Sequence, residues 1–298
     1  MNTKRADQEK KQSDQAFELE AINPTFATPI TNPTNIVNVG YSSTIETEVG
    51  KASPALADID EDGDLDLFLG NSFGNTFYFK NTGSITNPQF AKYVENPSEI
   101  VNIGVKDLFG RENVALGNAS PALGDIDGDD DLDLFIGNYY GNTFYFENKG
   151  SSTNIKFAPY KKNPFGISNV GKDGSPALAD IDGDGDLDLF ISNYYGNTFF
   201  LENTGSTTNP QFAHYIENPY GISNVGVAGK YLSPIGHAST AFGDFDKDGD
   251  LDLIIGNFYG LYYFKNTGSA TNPRFATRIQ IPYETSEYGA WASPASGD

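Results

Sequence analysis

The chain has 298 residues, 38% of them hydrophobic and 13% aromatic, with a formal charge of −21. That length suits one large domain or two ordinary ones. The acidic balance leaves no basic stripe for phosphates and excludes nucleic acid as a partner. No cysteine is present, which excludes disulfides and thiolate metal sites, and no apolar run reaches the roughly 18 residues of a membrane span.

Residues 1–16, MNTKRADQEKKQSDQA, are polar and charged and lack the apolar centre of an N-terminal signal peptide. They read as a disordered tail ahead of a single domain over 17–298. Asn23-Pro24-Thr25-Phe26-Ala27 matches Asn87-Pro88-Gln89-Phe90-Ala91, a segment that recurs later. A unit of 44–45 residues then repeats over 53–97, 120–164, 175–219 and 239–282. Its parts keep one order: SPALADID, an acidic loop, LDLFLGN, an aromatic-glycine turn, NTFYFKN, NTGSxTNP and QFAKYVENP, or near copies. Linkers of uneven length separate the units.

Each unit predicts four short strands, A to D. Leu65–Asn71 is a near-continuous apolar run bounded by turn residues, as in a strand covered on both faces. Thr76–Lys80 is aromatic and β-branched, and Asn81-Thr82-Gly83-Ser84 and Asn87-Pro88 are turn chemistry. Four-stranded units of this length predict an all-β fold, a β-propeller of antiparallel blades. The chain supplies four complete blades, an orphan D strand at 23–27 and, at Ser293–Asp298, a match to Ser120–Asp125 that reads as an orphan A strand. The expectation is an unfinished ring: a fragment of a longer propeller, or one that needs partner strands or an oligomer to close.

The acidic loops begin at Asp58, Asp125, Asp180 and Asp244 and read DIDEDGDLD, DIDGDDDLD, DIDGDGDLD and DFDKDGDLD. Each sets carboxylates at positions 1, 3, 5 and 9. Hard divalent cations require such a set of oxygens, and calcium is the usual occupant. Up to four Ca2+ ions are expected, which would bring the charge from −21 to −13. An EF-hand would need Glu at position 12, where Leu69, Ile136, Ile191 and Ile255 stand.

These loops, with the flanking SPALADID and NTG-NP segments, resemble the FG-GAP/VCBS repeat family, known from the calcium-bearing propeller of integrin α subunits. The resemblance covers about 23–298. It implies a β-propeller with structural Ca2+ in the A–B hairpins and fixes no activity. Carried over, the ligands would be Asp58, Asp60, Asp62 and Asp66 with the carbonyl of Asp64; Asp125, Asp127, Asp129 and Asp133 with that of Asp131; Asp180, Asp182, Asp184 and Asp188 with that of Asp186; and Asp244, Asp246, Asp248 and Asp252 with that of Asp250. Glycine at position 6 (Gly63, Gly185, Gly249) suits a positive-φ bend. The second loop has Asp130 there, so it is expected to bind most weakly.

In an up-and-down blade the A–B and C–D turns share one end, and the B–C turns and D–A linkers the other. The second end would gather Phe73, Tyr139, Tyr140, Tyr194, Tyr195, Phe258 and Tyr259. Loops on a rigid scaffold commonly carry binding, and tyrosine rings suit glycan or protein surfaces. At least one ring of each pair is expected to pack between blades instead. No catalytic constellation is apparent; His214 and His237 occupy non-equivalent places and read as incidental. The leading expectation is a non-enzymatic binding or adhesion module for a protein or glycan. The calcium loops point to an extracellular or cell-surface setting. The alternatives are a propeller of a carbohydrate-active enzyme resembling polysaccharide lyases, with Arg111, Glu112, Lys230, Tyr231 and His237 as its candidates, or a structural fragment of a longer repeat protein.

Overall fold

The computed structural model of the protein describes residues 36, 51–104, 117–151, 154–226, 237–281 and 293–295. Among the described residues, sixteen strands form four antiparallel four-stranded sheets, each ordered as in the chain. The first holds β1 (Ala52–Ala57), β2 (Asp66–Asn71), β3 (Thr76–Phe79) and β4 (Val94–Glu95). The second holds β5 (Ser120–Gly124), β6 (Asp133–Gly137), β7 (Thr143–Phe146) and β8 (Lys161–Lys162). The third holds β9 (Ser175–Ala179), β10 (Asp188–Ser192), β11 (Thr198–Leu201) and β12 (Ile216–Glu217). The fourth holds β13 (Ser239–Gly243), β14 (Asp252–Asn257), β15 (Gly260–Phe264) and β16 (Ile279–Ile281). They are the blades of a β-propeller, and the only helix among the described residues is one 3-10 turn, Pro219–Gly221.

The apolar run of each second strand follows from its sandwiched position. Leu134 and Ile136 on β6 pack with Phe68 of the first blade, while Phe135 between them packs with Leu189 and Ile191 of the third. Both faces of the strand are therefore covered, and alternation disappears from the sequence. Each blade-to-blade seam is one apolar cluster, the third and fourth blades being joined by Phe190, Phe200, Phe242, Leu253 and Phe264 among others. The outer side of the first blade buries Leu67, Leu69, Phe77 and Phe79, with Ile36 against them.

The fourth strands are shorter than the sequence suggests. β4, β8 and β12 have two residues each, preceded by single bridges such as Asn81 to Phe90. They lie at the outer rim, where Val94 is 51% and Ile216 55% exposed, so little apolar burial holds them in register. A short edge strand also offers few free backbone groups for unwanted pairing.

The innermost strands β1, β5, β9 and β13 stand side by side around the axis. Their first serines join through their hydroxyls: Ser53 to Ser120 at 2.8 Å, Ser120 to Ser175 at 2.7 Å and Ser175 to Ser239 at 3.1 Å. Ser293 closes the circle, 3.0 Å from Ser239 and 3.2 Å from Ser53. Pro294 and Ala295 then join the Pro-Ala pairs of β1, β5 and β9 and Thr240-Ala241 of β13 around a narrow axial cavity of about 90 Å3. Ser293–Ala295 thus takes the axial place of an inner strand, as the sequence match to Ser120 predicts, although no strand pairing is formed there. The expected tail at 1–16, the orphan strand at 23–27, residues 296–298 and the candidates Arg111, Glu112, Lys230 and Tyr231 lie outside the described residues.

Candidate metal centres and the opposite face

The four acidic loops connect the first and second strands of each blade. In each, the carboxylates at positions 1, 3 and 5 converge: Asp58, Asp60 and Asp62; Asp125, Asp127 and Asp129; Asp180, Asp182 and Asp184; Asp244, Asp246 and Asp248. Within each group, oxygens lie within 4.8 Å of one another. The first carboxylate staples the loop by accepting backbone N–H groups. Asp58 takes those of Asp62 at 3.0 Å and Gly63 at 2.9 Å, and Asp125 those of Gly128 at 2.7 Å and Asp130 at 3.0 Å. The fifth-position carboxylate accepts from the seventh residue, as Asp62 does from Asp64 at 3.2 Å.

Two bends per loop have positive φ. Position 6 is at +90° in Gly63, +92° in Gly185 and +93° in Gly249, and Asp130 adopts +69° in its place. Position 4 does so too, at Glu61, Gly128, Gly183 and Lys247. The sequence carries no uniform signal for that second bend, since the same demand is met by three residue types, Glu, Gly and Lys.

The third-position carboxylate tests whether a cation fits. Asp60, Asp127, Asp182 and Asp246 each hold a buried Oδ1 without a hydrogen-bond donor. A buried carboxylate oxygen left without a partner is costly, and the same atom is left so in all four loops. A hard cation supplies what it lacks, so the residues present fit a divalent ion.

The ninth-position aspartates are placed differently. Asp66, Asp133, Asp188 and Asp252 are buried at the head of each second strand, outside the groups of three. Asp66 accepts the Tyr78 hydroxyl at 2.8 Å and the Asn81 N–H at 2.6 Å. Asp133 and Asp252 are held alike by Tyr145 and Asn148 and by Tyr263 and Asn266. In the third blade Phe200 replaces the tyrosine, and Asp188 Oδ2 has no partner. Burial raises the Asp66 carboxyl to about 6, against the pull of its two donors, and Asp133 and Asp188 to about 7. A neighbouring cation is the natural counterweight to that desolvation.

The opposite end gathers the B–C turns and the linkers: Ile103 N–H donates to Gly74 O at 2.9 Å, and Val225 N–H to Gly196 O at 2.9 Å. The aromatic pairs lie there edge to face, Tyr139 with Tyr140 at 5.2 Å, Tyr194 with Tyr195 at 5.3 Å and Phe258 with Tyr259 at 5.3 Å. Phe73 is buried, while Tyr139, Tyr194, Phe258 and Tyr259 are half-buried and Tyr140 and Tyr195 exposed. Beside Tyr140 a cavity of about 680 Å3 opens between the first linker and the second blade, lined by Val101, Asn142, Tyr160, Lys162 and Asn169 among others. Tyr140 and Tyr160 are 41% and 45% exposed.

Near the axis at this end lies a cluster of which the sequence-based expectations name only His237. His237 is buried, with its Nδ1 against Asp173 Oδ2 and its ring 4.4 Å from Tyr194. Asn118 Nδ2 donates to Asp173 Oδ1 at 2.5 Å. Burial drives the Asp173 carboxyl up, but His237, Lys51 and Asn118 outweigh it and hold it below the usual range. Lys51 is buried with no hydrogen-bond acceptor at Nζ, and burial pulls its pKa down against the attraction of Asp173. His214, by contrast, is exposed beside Tyr215.

Blades of one repeated sequence, each with a carboxylate-lined hairpin, define a repeat β-propeller. The FG-GAP-like repeat matches residues 125–191 and the FG-GAP repeat residues 174–209, so residues 125–209 carry repeats of the FG-GAP family. No curated protein matches it. Among solved structures it is similar to an Agrocybe aegerita lectin described as recognising non-reducing terminal N-acetylglucosamine, at 20% identity over 78% of this chain and 53% of that one, TM-score 0.41. It is also similar to the exotype rhamnogalacturonan lyase YesX, at 11% over 76% and 50%, TM-score 0.31. The Vanderwaltozyma polyspora Nup133 β-propeller domain follows at 11% over 73% and 60%, TM-score 0.33. The chain spans about half the length of the lectin and lyase chains. Among the described residues no helix is long and apolar enough to cross a membrane.

Proposed function

We propose that this chain is a calcium-stabilised, non-enzymatic propeller that binds a glycan through the face opposite its acidic loops, in an extracellular or cell-surface setting. The observation that carries the reading is the cavity beside Tyr140. Its size falls in the range of ligand sites, roughly 300–1,000 Å3, and two exposed tyrosine rings meet asparagine amides in its lining. Rings that stack and amides that hydrogen-bond are what a sugar requires, whereas a protein partner would favour a broader apolar patch. The register places Lys162 where the first and third blades have Glu95 and Glu217, so carboxylate-bearing sugars belong in the test.

Calcium in the four loops is proposed as structural, with Asp58, Asp60 and Asp62 and their equivalents as ligands and the ninth-position aspartates at the edge of each cage. Sites of extracellular modules fill at roughly 10⁻⁴–10⁻³ M calcium, which supports an extracellular or cell-surface location. The test is a glycan array probed with the whole chain in calcium, then with Tyr140→Ala and Tyr160→Ala. Loss of binding in both variants supports the reading; an array without signal, or signal indifferent to both, defeats it.

The enzyme reading requires ionisable residues that break the repeat, and Lys51, Asp173 and His237 do break it. Their burial favours a structural role. A polysaccharide degradation assay separates the two, since turnover abolished by His237→Gln would restore catalysis.

A further inference from the structure

The residue that follows the third strand of each blade is the same structural position in all four. Register fixes this, because Phe79, Phe146, Leu201 and Phe264 face Leu67, Leu134, Leu189 and Leu253. The next residues are Lys80, Glu147, Glu202 and Lys265. In the first blade Lys80 Nζ bonds Asp60 Oδ2 and lies 3.3 Å from Asp62 Oδ2. In the fourth, Lys265 Nζ bonds Asp246 Oδ2 and lies 3.3 Å from Asp248 Oδ2. Both ammonium groups bridge positions 3 and 5 of their loops, two of the three carboxylates that converge there. In the second blade the equivalent side chain is a carboxylate, and Glu147 turns to Lys149 and Lys161 at the surface.

We propose that the four cages form two classes, in which Lys80 and Lys265 are built-in counter-cations that a divalent ion must displace, while the second and third cages take the first two ions. The order follows from where the ammonium groups sit, on the ligand carboxylates in the first and fourth cages and away from them in the second. The first loop has six carboxylates against Lys80 (−5), and the second six with Glu147 against Lys149 and Lys161, which pair with Glu147 (−5). The third has five with Glu202 (−6), and the fourth five against Lys247 and Lys265 (−3). Calcium affinity is tuned over orders of magnitude by ligand charge and site rigidity, and here the charge set against the ligands changes while the loop design does not. The second cage, which Asp130 at position 6 marks as the weakest from sequence alone, becomes one of the two tightest. Asp130 takes up the required positive φ and its N–H still reaches Asp125 at 3.0 Å, so the local cost of a non-glycine bend is set against ligand carboxylates that no ammonium bridges, since Lys149 and Lys161 pair with Glu147.

The lysines also give the metal-free protein a means of holding its loops. An ammonium that bridges two carboxylates relieves their repulsion, so the first and fourth hairpins keep their shape at low calcium. The second and third hairpins have no such lysine at this position and depend on the ion. Filling is then staged, with two cages loaded before two others exchange an ammonium for a metal.

This rests on the reading that the cages hold calcium. The test is calorimetric titration of the whole chain with CaCl2, with a crystal soaked in two equivalents to show which cages are filled. The expected result is two ions bound at least about tenfold more tightly than the other two, with density in the second and third cages. Lys80→Gln with Lys265→Gln should tighten the weaker pair by about tenfold and leave the tighter pair unchanged, whereas Glu147→Gln with Glu202→Gln should weaken the tighter pair. Four equivalent sites, first filling of the first and fourth cages, or a weak class indifferent to the lysine substitutions overturns the proposal and leaves calcium binding standing. No heat and no bound ion would overturn both.

Discussion

Ser53 and Ser120 lie 67 residues apart and place their hydroxyl oxygens 2.8 Å from one another at the propeller axis. Each is one link in a closed circle of five serines, in which Ser239 accepts from both Ser175 and Ser293 while either hydroxyl can donate at the other three links. Ser120→Ala removes a link from both sides and leaves buried neighbours short of a partner. The expected loss is about 1–3 kcal/mol, read as a lower urea midpoint with unchanged slope. Ser84→Ala, on an exposed turn, should stay within about 0.5 kcal/mol. Equal effects from the two would mean that the circle contributes nothing.

Lys51, Asn118, Asp173 and His237 each stand two residues ahead of a serine of that circle. Asp173→Ala should cost about 3–5 kcal/mol, because it strips the buried groups around it of their counter-charge. Lys51→Met should hold or raise the midpoint, since the Lys51 ammonium is buried without an acceptor.

The pH dependence has a defined sign at both ends. Asp173 has a folded pKa below its unfolded value of about 3.9. Its stabilisation is therefore complete above that value and lost as pH falls through the folded pKa. Lys51 also has a folded pKa below its unfolded value. Its penalty is fully present below the folded pKa and fades as pH rises toward about 10.4. Melts of the wild type and Lys51→Met should therefore converge at alkaline pH, and a constant gap between them would contradict the assignment.

Calcium removal should act through the hairpins. A site held at a hundredfold excess over its Kd adds about 2.7 kcal/mol, so EDTA should lower the melting temperature by several degrees and added CaCl2 should restore it. A transition unmoved by either would remove the structural role proposed for the ion. Amide exchange should show where the loss falls, with the second and third loops deprotected more than the first and fourth.

Much of this was legible in the residues. The second and third strands were, because burial on both faces leaves unbroken runs such as Leu67-Phe68-Leu69. The convergence of positions 1, 3 and 5 followed from spacing alone. The fourth strands were overestimated, because QFAKYVENP has strand composition but only its last part pairs at an exposed rim. The axial cluster lies where the repeat breaks: the blades are marked by what recurs, and Lys51, Asn118, Asp173 and His237 differ in every unit. Their signal was positional, a polar or ionisable residue at a fixed offset before each SPA or its equivalent. Lys80 and Lys265 were concealed likewise, inside a segment read only for its strand.

The third blade offers the sharpest single comparison. Tyr78, Tyr145 and Tyr263 each give a hydroxyl to the ninth-position aspartate of their loop. Phe200 stands in that place in the third blade, and Asp188 Oδ2 is buried without a donor. Phe200→Tyr should supply it, stabilising the metal-free protein by about 1 kcal/mol, provided the hydroxyl fits between Phe190 and Tyr220, whose rings lie 4.9 and 5.2 Å away. Tyr145→Phe should do the reverse, costing about 1–3 kcal/mol by orphaning an oxygen of Asp133. Thermal melts in EDTA check both. The same pair separates the two roles of the ninth aspartate. If Asp188 Oδ2 faces calcium, Phe200→Tyr should help in EDTA and weaken calcium binding by the third cage in titration. A stabilisation of equal size with and without calcium would place Asp188 in the wall of the blade and outside the metal cage.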